Sequence, residues 1–182
     1  MLYQNSFIFT PQKQFITKLE KRMKKLFTLI LLTTILSGCN FSKGIKTDLT
    51  TGLTYSYNGF RIDKAIVVNN NKPVQGKKHP INSKLGVILQ GVKNYTVEDG
   101  KVYPGCSLEV TDEAGNIVLH NDDIFEGTEA TKEEASALSI SVTLGNPIVA
   151  GNNYMLKAHV YDKKKPENAI DIELGFEVTE AK

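Results

Sequence analysis

Residues Ala169–Val178 read AIDIELGFEV, and their pattern is strictly alternating. Ile170, Ile172, Leu174, Phe176 and Val178 take every second place, with Asp171, Glu173, Gly175 and Glu177 between them. Successive side chains of a strand point to opposite faces, so this period of two predicts a strand with one face on a core and the other in water. Upstream lies DKKKPEN, Asp162–Asn168, in which Pro166 and Asn168 mark a hairpin connection. Its partner is NYMLKAHVYD, Asn153–Asp162, where Tyr154, Leu156, Ala158 and Val160 alternate with Met155, Lys157, His159 and Tyr161. ALSISVTL, Ala137–Leu144, repeats the pattern with Leu138, Ile140, Val142 and Leu144 on one face.

Further strands are expected at LTYSYN (53–58), FRIDKAIVVN (60–69), KLGVILQGVK (84–93), VYPGCSLEVTD (102–112) and NIVLHN (116–121). TDEAGN, Thr111–Asn116, is a second hairpin signal. Only EATKEEASA, Glu129–Ala137, suggests a helical turn. About eight strands with so little helix predict an all-β chain folded as a single two-sheet β-sandwich over residues 52–182. The architecture is immunoglobulin-like, but the Cys…Trp…Cys core of antibody domains is absent, because the chain contains no Trp. If the last strand lies at a sheet edge, it is also a place where a partner strand can add.

The first 38 residues are excluded from the fold. LFTLILLTTIL, Leu26–Leu36, is apolar and uncharged but about half the length needed to span a bilayer. Lys21, Arg22, Lys24 and Lys25 precede it, and Ser37-Gly38 follow, the parts of a secretory signal peptide in order. LSGC, Leu36–Cys39, resembles the lipobox of bacterial lipoproteins. That resemblance implies that Cys39 is lipidated on sulfur, that cleavage occurs before it, and that the new amino terminus is acylated. The alternative, a Cys39–Cys106 disulfide, requires an uncut, membrane-seeking leader folded against a globular domain. Residues 1–22 are read as an extension upstream of a start at Met23, with a long basic leader region as the alternative. Residues 39–51, from the lipidated Cys39 through NFSKGIKTDLTT, are expected to form a flexible tether.

A weaker resemblance covers the domain. GKVYPGCSLEVTDEAGNIVLHNDDIF, with a later Y-x-L-x-A-x-V-x-D strand, is similar to small lipoproteins of the Bacteroidota that carry one sandwich domain behind a lipobox. That group implies no catalytic residues. Fimbrillin-type lipoproteins share leader and sandwich but have two domains, for which this chain lacks room. By resemblance to enterobacterial sorting, Asn40 after Cys39 points to the outer membrane. The lack of an acidic run after Cys39 points to its periplasmic leaflet, with surface exposure left open.

Charge and motifs bound the function. Residues 1–38 hold six of the 22 Lys and Arg and one of the 20 Asp and Glu, leaving 16 basic and 19 acidic groups in the mature chain. A mildly acidic surface argues against a nucleic-acid partner, which needs a clustered positive field. Lys163-Lys164-Lys165 is read as a solvated hairpin tip. Cys106 shares a face with Leu108 and Val110 and is read as core. His79, His120 and His159 are far apart, lack the spacing of a zinc site, and are read as surface or turn residues.

Asp122, Asp123 and Glu126 in NDDIFEG are candidate ligands for Ca²⁺, which takes oxygen donors. The competing reading is a turn whose side chains bond their own backbone. Asp112 and Glu113 in the hairpin tip lie about five residues of strand, or ~17 Å, from that group and are not expected to join it. Tyr55, Tyr57, Tyr95, Tyr103, Tyr154 and Tyr161 raise glycan stacking as a further possibility, although Tyr55 and Tyr57 alternate as core residues do. The expectation is therefore a lipid-anchored, non-enzymatic cell-envelope protein without a cofactor, whose sandwich docks an envelope protein. A Ca²⁺- or glycan-binding module is the alternative.

Overall fold

The computed structural model describes residues 42–181. The leader, residues 1–38, and Cys39 lie outside them. The strands are β1 (Lys43–Asp48), β2 (Leu53–Asn58), β3 (Lys64–Asn69), β4 (Lys72–Pro73), β5 (Lys78–Pro80), β6 (Lys84–Gln90), β7 (Pro104–Asp112), β8 (Ile117–Asn121), β9 (Ala137–Thr143), β10 (Asn153–Asp162) and β11 (Lys165–Thr179). Among the described residues a single 3₁₀ turn, Glu134–Ser136, interrupts them. It is closed by a reciprocal pair, the Thr131 backbone N–H donating to the Glu134 carboxylate and the Glu134 N–H to the Thr131 hydroxyl.

The fold is an all-β sandwich of two sheets. The seven-stranded sheet runs β1-β2-β11-β10-β7-β8, with β5 also pairing β11, and the four-stranded sheet runs β4-β3-β6-β9. All ladders are antiparallel except β5 on β11. One continuous core fills the interior. Tyr55, Leu108, Val110, Leu156, Val160, Ile172 and Leu174 of the large sheet share it with Val67, Leu85, Val87, Leu89, Leu138, Ile140 and Val142 of the small one.

The alternation in Ala169–Val178 sets β11. Ile170, Ile172, Leu174, Phe176 and Val178 are all buried, and the strand extends the expected stretch back to Lys165. The possibility that it lies at an edge is corrected: β10 flanks it on one side, and β2 and β5 flank it on the other. Alternation reports which face meets the core. It carries no information on neighbours supplied by segments as distant as Leu53–Asn58.

A second correction concerns the tether. Residues 43–48 are not free chain but a strand, registered from Lys43 opposite Asn58 to Asp48 opposite Leu53. KGIKTD shows no alternation because an exposed edge strand needs none; its backbone bonds to β2 hold it, and Lys43 and Lys46 suit an edge. β4 and β5 were not expected either. β3 turns into β4 through Asn70 and Asn71, whose φ values of 48° and 63° fit the two left-handed positions of a type I′ turn.

The register gives the sandwich two ends. Lys43, Asn58, Gln90, Pro104 and Asp162 lie at the end where β1 begins. Asp48, Asn69, Asp112, Asn153 and Glu177 lie at the other.

Candidate functional site

The acidic candidates fall at the first of these ends and are mostly committed. Asp123 Oδ1 accepts the backbone N–H groups of Cys106 and Phe125, both at 2.9 Å, and its Oδ2 meets Lys163 Nζ at 2.7 Å. Burial opposes the charge on Asp123, but the Lys163 ammonium and the two N–H donors outweigh it and hold the carboxyl below its ordinary range. Asn121 closes the turn by accepting the Asp123 N–H. Asp122 is exposed and paired with His120 Nε2 at 2.9 Å, and Glu126 is exposed. Among the described residues, no three His, Cys, Asp or Glu side chains are grouped as a metal ion requires. NDDIFEG is thus the self-bonded turn, locked to the β10–β11 hairpin through Lys163. As expected, Asp112 and Glu113 sit at the opposite end. Asp112 accepts the N–H groups of Ala114 and Asn116, and Glu113 bonds Asn153.

Two histidines lie on the outer face of the large sheet, as expected. His159 Nδ1 pairs with Asp171 Oδ1 at 2.6 Å, and its ring stacks on Tyr161. His79 is the exception. It is 2% exposed, on β5, and burial pushes its pKa down. The reading as a surface residue fails because GKKHPIN looks polar as a loop, whereas the parallel pairing of β5 with Glu177–Thr179 turns His79 inward. Cys106 is fully buried, and burial, with the Asp123 charge adding, pushes its thiol up to about 12. It stays protonated at neutral pH.

The tyrosines are largely absorbed by the fold. Tyr55, Tyr95 and Tyr154 are buried in the core, Tyr57 covers Gly44 across the β1–β2 ladder, and Tyr161 covers Gly105 across β10–β7. Tyr103 lies under the Lys164 ammonium, 4.6 Å from its ring centre.

One concavity of ligand size was not foreseen. An open groove of about 750 Å³ lies where β5, β10 and β11 meet the β7–β8 hairpin. Met155 and Gly175 face it from the outer side of the sheet, while the rings of Tyr154 and Phe176 turn into the core behind them. Lys77, Lys78 and Glu177 form one bank, with Lys78 paired to Glu177 at 2.9 Å, and Asp112, Glu113 and Asn153 the other. Gly175 is what opens it. It faces Met155 across the ladder, and a Cβ there would meet only the Met155 methyl, at 3.6 Å. A side chain therefore fits, yet none is present. On the neighbouring side Gly52, at φ 77°, lets its turn lie against this strand: a Cβ would come within 2.7 Å of the Gly175 carbonyl oxygen. In the sequence, Gly175 reads as one more solvent-side position of a strand, so the groove had no signal of its own. Leu49, Ile117 and Val149, three exposed large apolar residues at 82%, 58% and 50%, lie in the turn, strand end and loop at this same end.

Against known proteins, residues 23–40 match the model of the prokaryotic membrane lipoprotein lipid attachment site. The match supports a lipid-anchored protein of the cell envelope. No curated protein matches the chain.

Proposed function

We propose that this lipoprotein acts by binding, not catalysis, and that its groove takes an apolar side chain from an extended segment of an envelope protein. The placement is the outer membrane, from Asn40 after Cys39, with the domain on the periplasmic side. The observation that carries the reading is the groove itself: Met155 and the bare Gly175 lie between Lys77 on one side and the Asp112–Glu113 tip on the other, at the end of the sandwich that also carries exposed Leu49, Ile117 and Val149. Apolar surface concentrated at one place on a soluble domain marks interaction sites. A partner with an apolar anchor flanked by one acidic and one basic residue complements both banks. The inert thiol of Cys106 and the outward His–Asp pairs agree with a role without covalent chemistry.

Gly175 supplies the test. Gly175→Leu puts a side chain into the groove from a Cβ position that has only an ordinary contact, with the Met155 methyl at 3.6 Å. In cells, a photo-crosslinker at Lys77 should trap one discrete protein with the wild-type groove, and Gly175→Leu should abolish that product at unchanged abundance and melting temperature. An unchanged crosslink would refute the assignment of the groove.

A further inference from the structure

We propose that the sandwich stands on the membrane by the end that carries Lys43, the β10–β11 turn and the Asn121–Glu126 loop, with phospholipid headgroups as their partner surface and the groove turned away. The inference rests on the lipid anchor at Cys39, and it follows from where β1 begins. Only the step from Cys39 to Lys43, four residues on, separates the attachment point from a strand fixed in the sheet. Fully extended, four residues reach at most ~14 Å. The start of β1 is therefore held at the headgroup layer. From there β1 runs toward the groove end, paired with β2 and in the same direction as β11 one strand further in. The ten residues of β10 bridge the two ends, from Asn153 beside the groove to Asp162 in the turn, a span of roughly 30 Å. The reach is less than half that span.

The membrane-side end is built to lie against a polar layer. Its buried polar residues, Asp162 and Asn168, and the half-buried Asn58 are already hydrogen-bonded. Asp162, fully buried, accepts the N–H groups of Thr96 and Lys164 at 2.6 and 2.9 Å. Asn168 donates to the Asn94 carbonyl, and Asn58 to that of Glu167. Docking on headgroups leaves none of these unpaired. Lys43, Arg61, Lys64 and Lys165 are exposed there and form no ion pair among the described residues. Exposed Asp99, Glu126 and Glu167 offset three of these four charges, so the orientation rests on reach and not on net charge.

The full lipidated protein in vesicles of phosphatidylethanolamine and phosphatidylglycerol provides the test. Lipidation blocks Cys39 and burial hides Cys106, so a single introduced thiol takes the label. A fluorophore at Glu167→Cys, on the membrane-side turn, should be quenched by headgroup-nitroxide lipid several-fold more than one at Gly115→Cys, on the opposite hairpin tip. A Gly/Ser spacer of about twelve residues after Asn40, roughly 20 Å in mean length, should remove most of that difference. Equal quenching at the two sites means that the sandwich lies on its side, and stronger quenching at Gly115→Cys means that it is inverted; either overturns the proposal. A difference that survives the spacer overturns the reach argument. Vesicle flotation separates these failures from that of the anchor: protein that does not float refutes lipid attachment itself.

Discussion

His79 is the residue whose chemistry departs furthest from its setting in the sequence. Asn69 Nδ2 donates to Ser83 Oγ at 2.8 Å and faces His79 Nδ1 at 3.5 Å. A donor facing Nδ1 places the proton of the neutral ring on Nε2, which is buried without a partner. Protonating Nδ1 would set donor against donor in a site closed to water. Burial accordingly lowers the pKa from 6.5. Above that value the ring is neutral in both native and unfolded chains and stability does not change on its account. Below it the unfolded chain takes up a proton that the native ring refuses, so stability falls as pH drops from about 6.5 toward the native pKa. Each unit of depression is worth about 1.4 kcal/mol. Melting temperatures measured between pH 7 and 5 should fall more steeply for the wild type than for His79→Leu. Parallel profiles would show that His79 is not the acid-sensitive group.

At the level of elements, β11 and β1 separate what the sequence declares from what it conceals. The buried face of β11 is written in its alternation. Ile172→Asp or Phe176→Asp should abolish cooperative unfolding, because an unpaired buried charge costs several kcal/mol, while Glu173→Lys on the outer face should shift the midpoint little. Similar losses from both kinds of change would mean that the register is wrong. β7, β9 and β10 were legible in the same way, and the TDEAGN turn through its Asp, Gly and Asn. β1 was not. Its one large apolar residue, Ile45, is 74% exposed, so no buried face imprints a period on it. β5 is three residues long, too short for any period. The groove depends on Gly175 lying between two distant segments, and no local pattern encodes such a meeting. β1 nevertheless has a measurable role. A chain beginning at residue 52 lacks it and bares the edge of β2, whereas one beginning at 42 keeps the ladder. The shorter chain should melt at lower temperature and associate through the opened edge, seen as larger species in sedimentation. Equal melting and a monomeric short chain would show that β1 contributes nothing to the sheet.

For the whole molecule, the prediction is that lipid attachment and the stability of the sandwich can be lost independently. Among the described residues the core cluster runs from Leu53 to Val178, and the domain is expected to keep its stability without the lipid. Membrane attachment, conversely, draws on the acyl chains: each buried methylene contributes about 0.8 kcal/mol, one chain holds only marginally, and two or more hold stably. Cys39→Ser removes the sulfur at which the lipobox resemblance places the lipid. In cells, the variant should lose the mass of the acyl chains and its partitioning into the detergent phase of a Triton X-114 extract. The melting temperature of the domain should stay that of the wild type. Attachment surviving the substitution would leave the lipid anchor without support, and with it the argument that the groove is carried on the side away from the membrane. Loss of attachment with an unchanged melt would place the whole of the membrane affinity at one atom, the sulfur of Cys39.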